Sequence, residues 1–318
     1  MLQLECGKTQ TFRERMIRSI PGRFGIMAAP ARRVNAGNLQ QSCADTEVVH
    51  EDVLTIDIEG VGAYSLMWTP TVDNTRAAGF CLEDGILADD PVAGAGRLPR
   101  GIPDSLALAA GFAFTEGIVD ALDGIVSMAI CPERPDVVRM RLRDPEAVEV
   151  RRRNVVMNSS CGVCGAREQL RDGSLGQARV PDTLRMATDD FSSICNAMQQ
   201  RQNIFGCTGG THGAAIFDVC MNVVATAEDL GRHNALDKVI GYGLLGGKGF
   251  AGCGAFISSR ISYEMVAKAA RAGLEILAAI SAPTSLAIEV AERSGITLCG
   301  FVRHGRAEIY THSHRIAV

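Results

Sequence analysis

The chain has 318 residues, of which 47% are hydrophobic and 21% are charged. This composition is typical of a globular protein, and the length allows one large domain or two smaller ones. A formal net charge of −4 gives no electrostatic reason to expect a nucleic-acid partner. No apolar run is long enough to span a membrane, and the N-terminus lacks the apolar stretch of a secretory signal, so we expect no membrane partner.

The cysteines indicate the compartment. Eleven cysteines are many for a chain of this length, and they are scattered and odd in number. A secreted disulfide framework would be shorter and more regular in its spacing. Most of the thiols, including Cys220, Cys253 and Cys299, stand in apolar surroundings and are expected to be small buried hydrophobes. The cysteine pattern therefore predicts a reducing compartment and a cytoplasmic location.

Residues 1–46 contain Gly, Asn, Gln and Arg without a sustained period, which predicts a disordered tail. The arginine-rich, acid-poor part of this segment, from Phe12 to Arg33, could alternatively be an organellar transit peptide. The pattern then changes, and we predict a smaller N-terminal α+β subdomain over residues 47–155. Alternation from Val53 to Ile58 predicts a strand, and Tyr64–Met67 is its predicted hairpin partner.

A short internal repeat lies within this subdomain. The sequence Ala-Ala-Gly-Phe at 77–80, followed by Gly-Ile at 85–86, recurs at 109–112 and 117–118 with the same spacing. Each copy predicts a short helix closed by glycine, and two copies are too few for a solenoid.

Residues 156–318 alternate between strand-like and helical patterns. The predicted strands are Ala214–Cys220, Val223–Thr226, Ala255–Ser258, Glu275–Ile280, Thr297–Arg303 and Ala307–Tyr310, and the predicted helices are Leu184–Gln202, Leu236–Leu245, Ser262–Ala272 and Pro283–Ser294. Strands alternating with helices of this length predict a layered α/β domain.

The strongest chemical signal is the motif Cys161-Gly162-Val163-Cys164. Neighbouring thiols near free backbone N–H groups favour the thiolate form, and a thiolate can attack the outer sulfur of a persulfide and become a persulfide itself. Half of a zinc knuckle is one competing interpretation, but it needs a second ligand pair and the chain has no other CxxC, so no structural metal is expected. A thioredoxin-like redox motif is the other competing interpretation. Such a motif would be expected early in a βαβ unit, whereas this one lies in the middle of the chain after two predicted strands.

A glycine-rich run is a candidate ligand site. Thr208, Gly209 and Gly210 precede His212, and such a run can bring backbone amides close to an anion. A tight turn that leads into a strand explains the glycines equally well. His212 alone is more often a structural histidine than a catalyst.

A dense polar segment enters the helix that follows. Arg232 and His233 stand at its start, where a guanidinium group and free backbone N–H groups would suit phosphate. Asp229 or Asn234 could simply cap the helix. The segment contains more ionisable groups than a cap requires, which favours a functional site.

The last candidate is the segment Phe301-Val302-Arg303-His304-Gly305-Arg306, which forms a predicted turn between two strands. One aromatic ring and two guanidinium groups could hold a guanine and its diphosphate. Burial of Phe301 in the core is the alternative.

Taken together, these motifs resemble the formate dehydrogenase accessory sulfurtransferase (FdhD) family. The resemblance extends from about Glu47 to the C-terminus. It rests on the joint order of Leu66-Met67 with Thr69-Pro70, the Gly-Phe and Gly-Ile segments, Ser160 to Gly165, Thr208-Gly209-Gly210 with His212, Glu228-Asp229 with Gly231 to Ala235 and Asp237-Lys238, Ser259 to Ser262 with Glu264-Met265, and Ala282 to Ser285.

The resemblance implies a three-layer α/β/α cytidine-deaminase-like domain over residues 156–318, next to the smaller N-terminal α+β subdomain, in a homodimer. The likeness to deaminases would be one of fold, because the deaminase zinc signature is missing from this chain. The long N-terminal segment and the second Gly-Phe copy depart from the family pattern.

The resemblance also implies a task. The family takes sulfur from a cysteine desulfurase as a cysteine persulfide and passes it to the molybdenum bis(molybdopterin guanine dinucleotide) cofactor of formate dehydrogenase. Cys161 matches the persulfide cysteine, Cys164 is its supporting partner, and Phe301–Arg306 matches the cofactor segment. Two alternatives stay open: a chaperone that binds the cofactor without chemistry, and a thiol–disulfide oxidoreductase.

Overall fold

A computed structural model describes residues 17–35, 38–71, 81–83, 86–87, 101–148, 156–157, 179–303 and 305–317. The strands are β1 (Arg18–Ile20), β2 (Arg23–Asn35), β3 (Asn38–Val49), β4 (Asp52–Ile58), β5 (Gly62–Trp68), β6 (Cys81–Glu83), β7 (Ile86–Leu87), β8 (Ile125–Ile130), β9 (Val137–Leu142), β10 (Val156–Met157), β11 (Met186–Ala187), β12 (His212–Phe217), β13 (Val223–Asp229), β14 (Gly254–Ile257), β15 (Ile276–Ala279), β16 (Thr297–Arg303), β17 (Arg306–Ile309) and β18 (Ile316–Ala317). The α-helices are α1 (Asp104–Thr115), α2 (Asp190–Gln199), α3 (Asn203–Thr208), α4 (Arg232–Leu245), α5 (Tyr263–Arg271) and α6 (Ser285–Ser294).

The first sheet consists of β1, β2 and β3 in antiparallel order. It occupies a segment that the sequence predicts to be a disordered tail, and this prediction is wrong from Arg18 onward; residues 1–16 lie outside the described residues. Backbone hydrogen bonds between paired strands form whatever the side chains are. Among the described side chains of β2, the buried hydrophobic ones are Ile26 and Ala28. So few buried positions leave no apolar period for a sequence pattern to detect.

The second sheet has the strand order β10-β5-β4-β9-β8-β6-β7. Its β4–β5 hairpin confirms the predicted pair across residues 59–61. The two copies of the internal repeat differ in structure, because β6 and β7 lie in the described part of the first copy, whereas α1 contains the Ala-Ala-Gly-Phe of the second. The prediction of two equivalent helices is therefore wrong for the described residues of the first copy.

Helix α1 connects the N-terminal and C-terminal parts of the chain. Every residue of α1 is buried, and the helix packs against β8 and β9 on one side and against α4 and α5 on the other. Gly111 of α1 and Gly241 of α4 lie where these two helices cross, and a Cβ atom on either glycine would lie 3.0 Å from the backbone nitrogen of the other. A side chain at either position would collide with the backbone of the opposite helix, so the crossing depends on both glycines.

The third sheet has the order β13-β12-β14-β15-β16-β17, in which β14, β15 and β16 are parallel. Ala214 and Ile216 of β12 point into a core shared with α4, α5 and α6. Ala215 and Phe217, which alternate with them, point into a second core that contains the apolar side of α2. Helices therefore cover both faces of this sheet.

The order of strands and helices after residue 179 confirms the predicted mixed α/β fold. One helix differs: the pattern predicts it from Leu184, but α2 begins at Asp190, because Met186 and Ala187 pair with β18 instead. The likeness to cytidine deaminases and the domain boundary at residues 155 and 156 stay predictions. Cys253 and Cys299 are buried as predicted, whereas Cys220 is exposed. None of the described helices has the length and apolar character needed to cross a membrane.

Candidate functional site at the C-terminal edge of the third sheet

Several of the predicted site residues meet at one edge of the third sheet. The parallel strands β14, β15 and β16 all end there, and the antiparallel strand β12 begins there with His212. Helices α4 and α5 also begin at this edge, since each follows a strand that ends there. In sheets of this type, ligands bind in the crevice outside the carboxyl ends of the strands.

Arg232, His233 and His212 belong to one basic cluster, which we call the edge cluster; Arg260 and Glu264 complete it. In the edge cluster, His233 Nε2 of α4 lies 2.9 Å from Glu264 Oε2 of α5, a contact that is an ion pair when the imidazole is protonated. His212 Nδ1 lies 3.4 Å from the Oγ atom of Ser258. Burial lowers the pKa of His212, and the nearby Arg232, Arg260 and His233 act in the same direction, against the opposing effect of Asp229. His212 is therefore neutral near pH 7.

Glu264 is the acidic member of the edge cluster. Burial raises its pKa, but contacts with His233 and the charge of Arg232 more than offset this effect, so the pKa lies below its ordinary value. Glu264 is therefore ionised at neutral pH. Sequence reasoning did not select Glu264 or Arg260 as site residues, although both lie in a motif that follows a predicted strand.

The other polar residues of the Glu228–Lys238 segment have structural partners. Lys238 is fully buried, lies 2.7 Å from Asp229 Oδ2 and donates a hydrogen bond to the backbone oxygen of Thr69. Asp237 forms an ion pair with Lys268 of α5 at 2.9 Å. These pairs tie α4 to α5 and to the end of β5. The charged residues of this segment therefore fall into two groups: some belong to the edge cluster, and the others make buried structural contacts.

The glycine-rich run forms a tight turn after α3. Gly209 has a φ of 65°, and the N–H of Gly210 donates to the hydroxyl of Thr208. A Cβ atom at Gly210 would lie 2.8 Å from the side chain of Val49, so packing against β3 accounts for this glycine. These contacts favour the turn over an anion-binding loop. Binding of the cofactor by Thr208, Gly209 and Gly210 stays a prediction.

The C-terminal turn lies at the same sheet edge but apart from the edge cluster. Arg303 and Arg306 are directly opposite each other across β16 and β17, and Gly305 between them has a φ of 72°. Like charges in this arrangement repel each other, and neither arginine has an ion pair among the described residues. His304 lies outside the described residues. The turn therefore presents two uncompensated guanidinium groups.

An aromatic ring stands beside these guanidinium groups. Phe301 is 38% exposed and has a φ of 53°, a backbone conformation that is strained for a bulky residue. It borders a cavity of about 890 Å³ together with Arg303 and Arg306, whereas Val302 is buried. The alternative that Phe301 is a core residue is therefore wrong. Strained residues of this kind cluster at functional sites, because the surrounding structure has to hold them in place.

Cys161 and Cys164 lie outside the described residues, so their predicted role is not tested by the geometry. Among the residues that the structure describes, no group of three or more His, Cys, Asp and Glu side chains could hold a metal ion. The expectation of no structural metal stays a prediction, because the motif that would supply thiolate ligands lies elsewhere in the chain.

Comparison with known proteins identifies the family. The model of the FdhD/NarQ family matches residues 102–317, which include every described element of the C-terminal part. The chain belongs to the FdhD/NarQ family. The FdhD resemblance drawn from the sequence motifs is thereby confirmed.

Relatives in the FdhD/NarQ family match over nearly the whole chain. The Sulfur carrier protein FdhD of Thermoplasma acidophilum is 34% identical over 89% of this chain and 90% of the relative. The protein of the same name from Bordetella bronchiseptica is 35% identical over 92% of this chain and 95% of the relative. A solved structure from Desulfotalea psychrophila, named as a formate dehydrogenase accessory protein, has a TM-score of 0.66 at 21% identity and covers 92% of this chain and 99% of its own. This last likeness supports the fold.

Proposed function

We propose that the protein is a sulfur carrier that accepts sulfur as a persulfide on Cys161 and delivers it to the molybdenum bis(molybdopterin guanine dinucleotide) cofactor used by formate dehydrogenase. The observation that carries this proposal is membership of a family whose relatives are named sulfur carriers, in a chain with the thiol pair Cys161 and Cys164. Formate dehydrogenase is the proposed client, a cysteine desulfurase the proposed donor, and the cytoplasm the proposed location.

The loading step is a displacement at sulfur. The thiolate of Cys161 attacks the outer sulfur of the persulfide on the desulfurase, a new S–S bond forms at Cys161, and the desulfurase cysteine leaves as a thiolate. No external oxidant is needed, because the sulfur atom moves with its oxidation state unchanged.

The C-terminal turn supports the choice of a guanine nucleotide as cargo. The opposed guanidinium groups of Arg303 and Arg306 can bind a diphosphate with paired, charge-assisted hydrogen bonds. The exposed ring of Phe301 offers a face for stacking a base next to them. In this proposal the metal cofactor is the substrate that the protein carries, and a homodimer would present the turn twice, once to each guanine nucleotide of the cofactor.

The proposal is tested by loading the whole protein with sulfur. We expect incubation with a cysteine desulfurase and cysteine to increase the intact mass by one sulfur atom per chain, and the increase to disappear on treatment with a thiol reductant. Incubation without cysteine is the control. A chain that binds the cofactor but never gains this mass is a chaperone, and a chain that only cycles between dithiol and disulfide is an oxidoreductase; either result contradicts sulfur carriage.

The nucleotide part is tested at Arg306. We expect the substitution Arg306→Ala to weaken GDP binding by at least about tenfold, because a charge-assisted hydrogen bond contributes about 1.5 to 3 kcal/mol. Calorimetric titration with GDP measures the effect, and sulfur loading at Cys161 should stay normal. The matched control is Arg293→Ala, which removes an exposed arginine from the last turn of α6. Wild-type affinity for GDP in Arg306→Ala would exclude this turn as the nucleotide site.

A further inference from the structure

A second cavity lies apart from the cofactor-binding candidates. It has a volume of about 620 Å³ and is bordered by β2, the start of α1, the chain from the end of α2 through α3, and the edge strand β13. None of the predicted cofactor-binding residues is among its described lining residues. A cavity of this size suits a small organic molecule. The proposed function leaves this cavity without a role.

The acids on the cavity wall are already engaged by the protein. Asp104 accepts hydrogen bonds from the hydroxyl groups of Thr71 and Tyr242. Glu228 accepts hydrogen bonds from two backbone N–H groups of α3 and from the hydroxyl of Thr211. Asp104 and Glu228 are the acids among the described lining residues. The cavity therefore offers no free carboxylate that would select a cation.

Gln202 is a buried polar residue of the wall without a partner. Its side chain lines the cavity and is only 7% exposed, and its amide group makes no hydrogen bond among the described residues. The amide packs over Gly213, where a Cβ atom would lie 2.6 Å from the Gln202 Cδ atom. Buried amides ordinarily have hydrogen-bond partners, because an unsatisfied one costs about 1 to 3 kcal/mol. A ligand in the cavity that carries an amide or a carboxylate would supply the partner.

A thiol stands at the mouth of the same cavity. Cys207 is exposed, lines the cavity and accepts a hydrogen bond from Arg23 Nη2 at 2.9 Å. Reactive cysteines are partly exposed and lie beside positive groups, which stabilise the charge on the attacking sulfur. Cys220 is also exposed, but its thiol has no such hydrogen bond among the described residues and lines neither cavity. Cys207 is therefore the described thiol that combines access, a guanidinium neighbour and an adjoining cavity.

The charges at the mouth favour an acidic ligand. Arg23 forms an ion pair with Glu47, whereas Arg201, which also lines the cavity, forms none with the described residues. A guanidinium group without an acid binds a carboxylate through paired hydrogen bonds.

We propose that Cys207 is a site of mixed-disulfide formation with a small thiol of the amino-acid or short-peptide class. The carboxylate of this ligand pairs with Arg201, and its amide or carboxylate groups satisfy Gln202 inside the cavity. This site is separate from sulfur carriage at Cys161 and does not rest on it.

The reaction is an exchange between a thiol and a small disulfide. Cys207 Sγ attacks as a thiolate, one sulfur of the small disulfide forms a new S–S bond with it, and the old S–S bond breaks. The second half of the small disulfide leaves as a thiolate and takes up the proton that Cys207 lost. The small disulfide is the oxidant: one half is reduced to a thiol while Cys207 is oxidised.

The experiment incubates the full chain with increasing concentrations of glutathione disulfide and follows each cysteine by alkylation and peptide mapping. We expect Cys207 to react at least about tenfold faster than Cys220, which serves as the exposed thiol control. The rate at Cys207 should saturate as the cavity fills, whereas the rate at Cys220 should rise linearly. Hydroxyethyl disulfide, which has no carboxylate or amide, should react at Cys207 without saturation.

Two substitutions test the two parts of the site. Arg23→Gln should slow the reaction of Cys207 with both disulfides by about tenfold, because it removes the charged hydrogen-bond donor. The matched control is Arg18→Gln, which removes an exposed, ion-paired arginine from the same sheet and should have no effect. Gln202→Met keeps the side-chain length and should abolish saturation by glutathione disulfide, with the hydroxyethyl disulfide rate unchanged. Far-ultraviolet circular dichroism checks folding.

The wild type alone can overturn the proposal. A rate at Cys207 that is no faster than at Cys220, or that rises linearly with glutathione disulfide, contradicts it even if a variant does not fold. Saturation that persists in folded Gln202→Met also contradicts it, because the ligand then binds elsewhere. Sulfur loading at Cys161 is measured separately with the desulfurase, so failure of sulfur carriage and failure of this site give different results.

Discussion

Substitution of Cys161 by alanine is expected to abolish both the sulfur-dependent mass increase and the activation of formate dehydrogenase. The reason is chemical: only a thiolate can displace the outer sulfur of the donor persulfide and retain it in an S–S bond. Alanine removes this nucleophile while it adds no bulk. The measurement is the intact mass after incubation with a cysteine desulfurase and cysteine, followed by peptide mapping to locate the extra sulfur.

Two other thiols provide controls for this experiment. Cys164→Ala should still gain sulfur, because its predicted role is to support Cys161, although transfer to the client should slow. Cys207 is exposed and its Sγ atom lies 2.9 Å from a guanidinium nitrogen of Arg23, so it is the described thiol best placed to react adventitiously. Cys207→Ala should load like the wild type. An undiminished mass gain in Cys161→Ala would show that another cysteine is the carrier.

The sequence predicts the C-terminal part of the fold well, for a physical reason. Strands such as β12 and β14 are buried on both faces, and helices such as α5 have one clearly apolar side, so burial and periodicity agree. The N-terminal sheet gives no comparable signal, because β2 has few buried apolar side chains among those described. Its order comes from the pairing of consecutive strands through backbone hydrogen bonds, which leaves little pattern in the side chains.

The sequence predicts some residues of the candidate site but not how they come together. The sequence indicates Arg232 and His233 from their place at the start of a helix and His212 from the glycine-rich run before it, and the structure brings all three together at one sheet edge. Arg260 and Glu264 were missed as site residues, because their place in the edge cluster depends on how α5 packs beside α4. The signal that could have found them is their position just after a buried strand, where parallel sheets place functional residues.

The many charged residues before and within α4 are harder to assign to a role from the sequence alone. The burial of Lys238 and its ion pair with Asp229 are not visible in the spacing of the two residues, which also suits a solvent-exposed helix face. Burial follows from the close approach of α1, whose residues cover this side of α4. A long-range contact thus decides which charged residues are structural and which are free to bind a ligand.

That close approach leads to the prediction with the largest effect on stability. The substitution Gly111→Ala is expected to lower the free energy of unfolding by about 3 kcal/mol or more, at the upper end of the cost of overpacking a core. A Cβ atom at this position would lie 1.8 Å from the backbone oxygen of Asp237 in α4. Backbone cannot rotate away as a side chain can, so the two helices have to separate. Chemical denaturation followed by circular dichroism measures the change.

The control for this prediction is a glycine in another helix with no such neighbour. Gly206 lies in α3, and a Cβ atom there would meet no atom within 4 Å. Alanine is preferred over glycine in helices by about 1 kcal/mol, so Gly206→Ala should be neutral or stabilising. Gly241→Ala should resemble Gly111→Ala, because its Cβ atom would lie 1.8 Å from the backbone oxygen of Ala107. If Gly111→Ala and Gly241→Ala are as stable as Gly206→Ala, α1 and α4 do not cross in backbone contact. The buried positions of Lys238 and Asp237, which depend on that crossing, would then have to be reassigned.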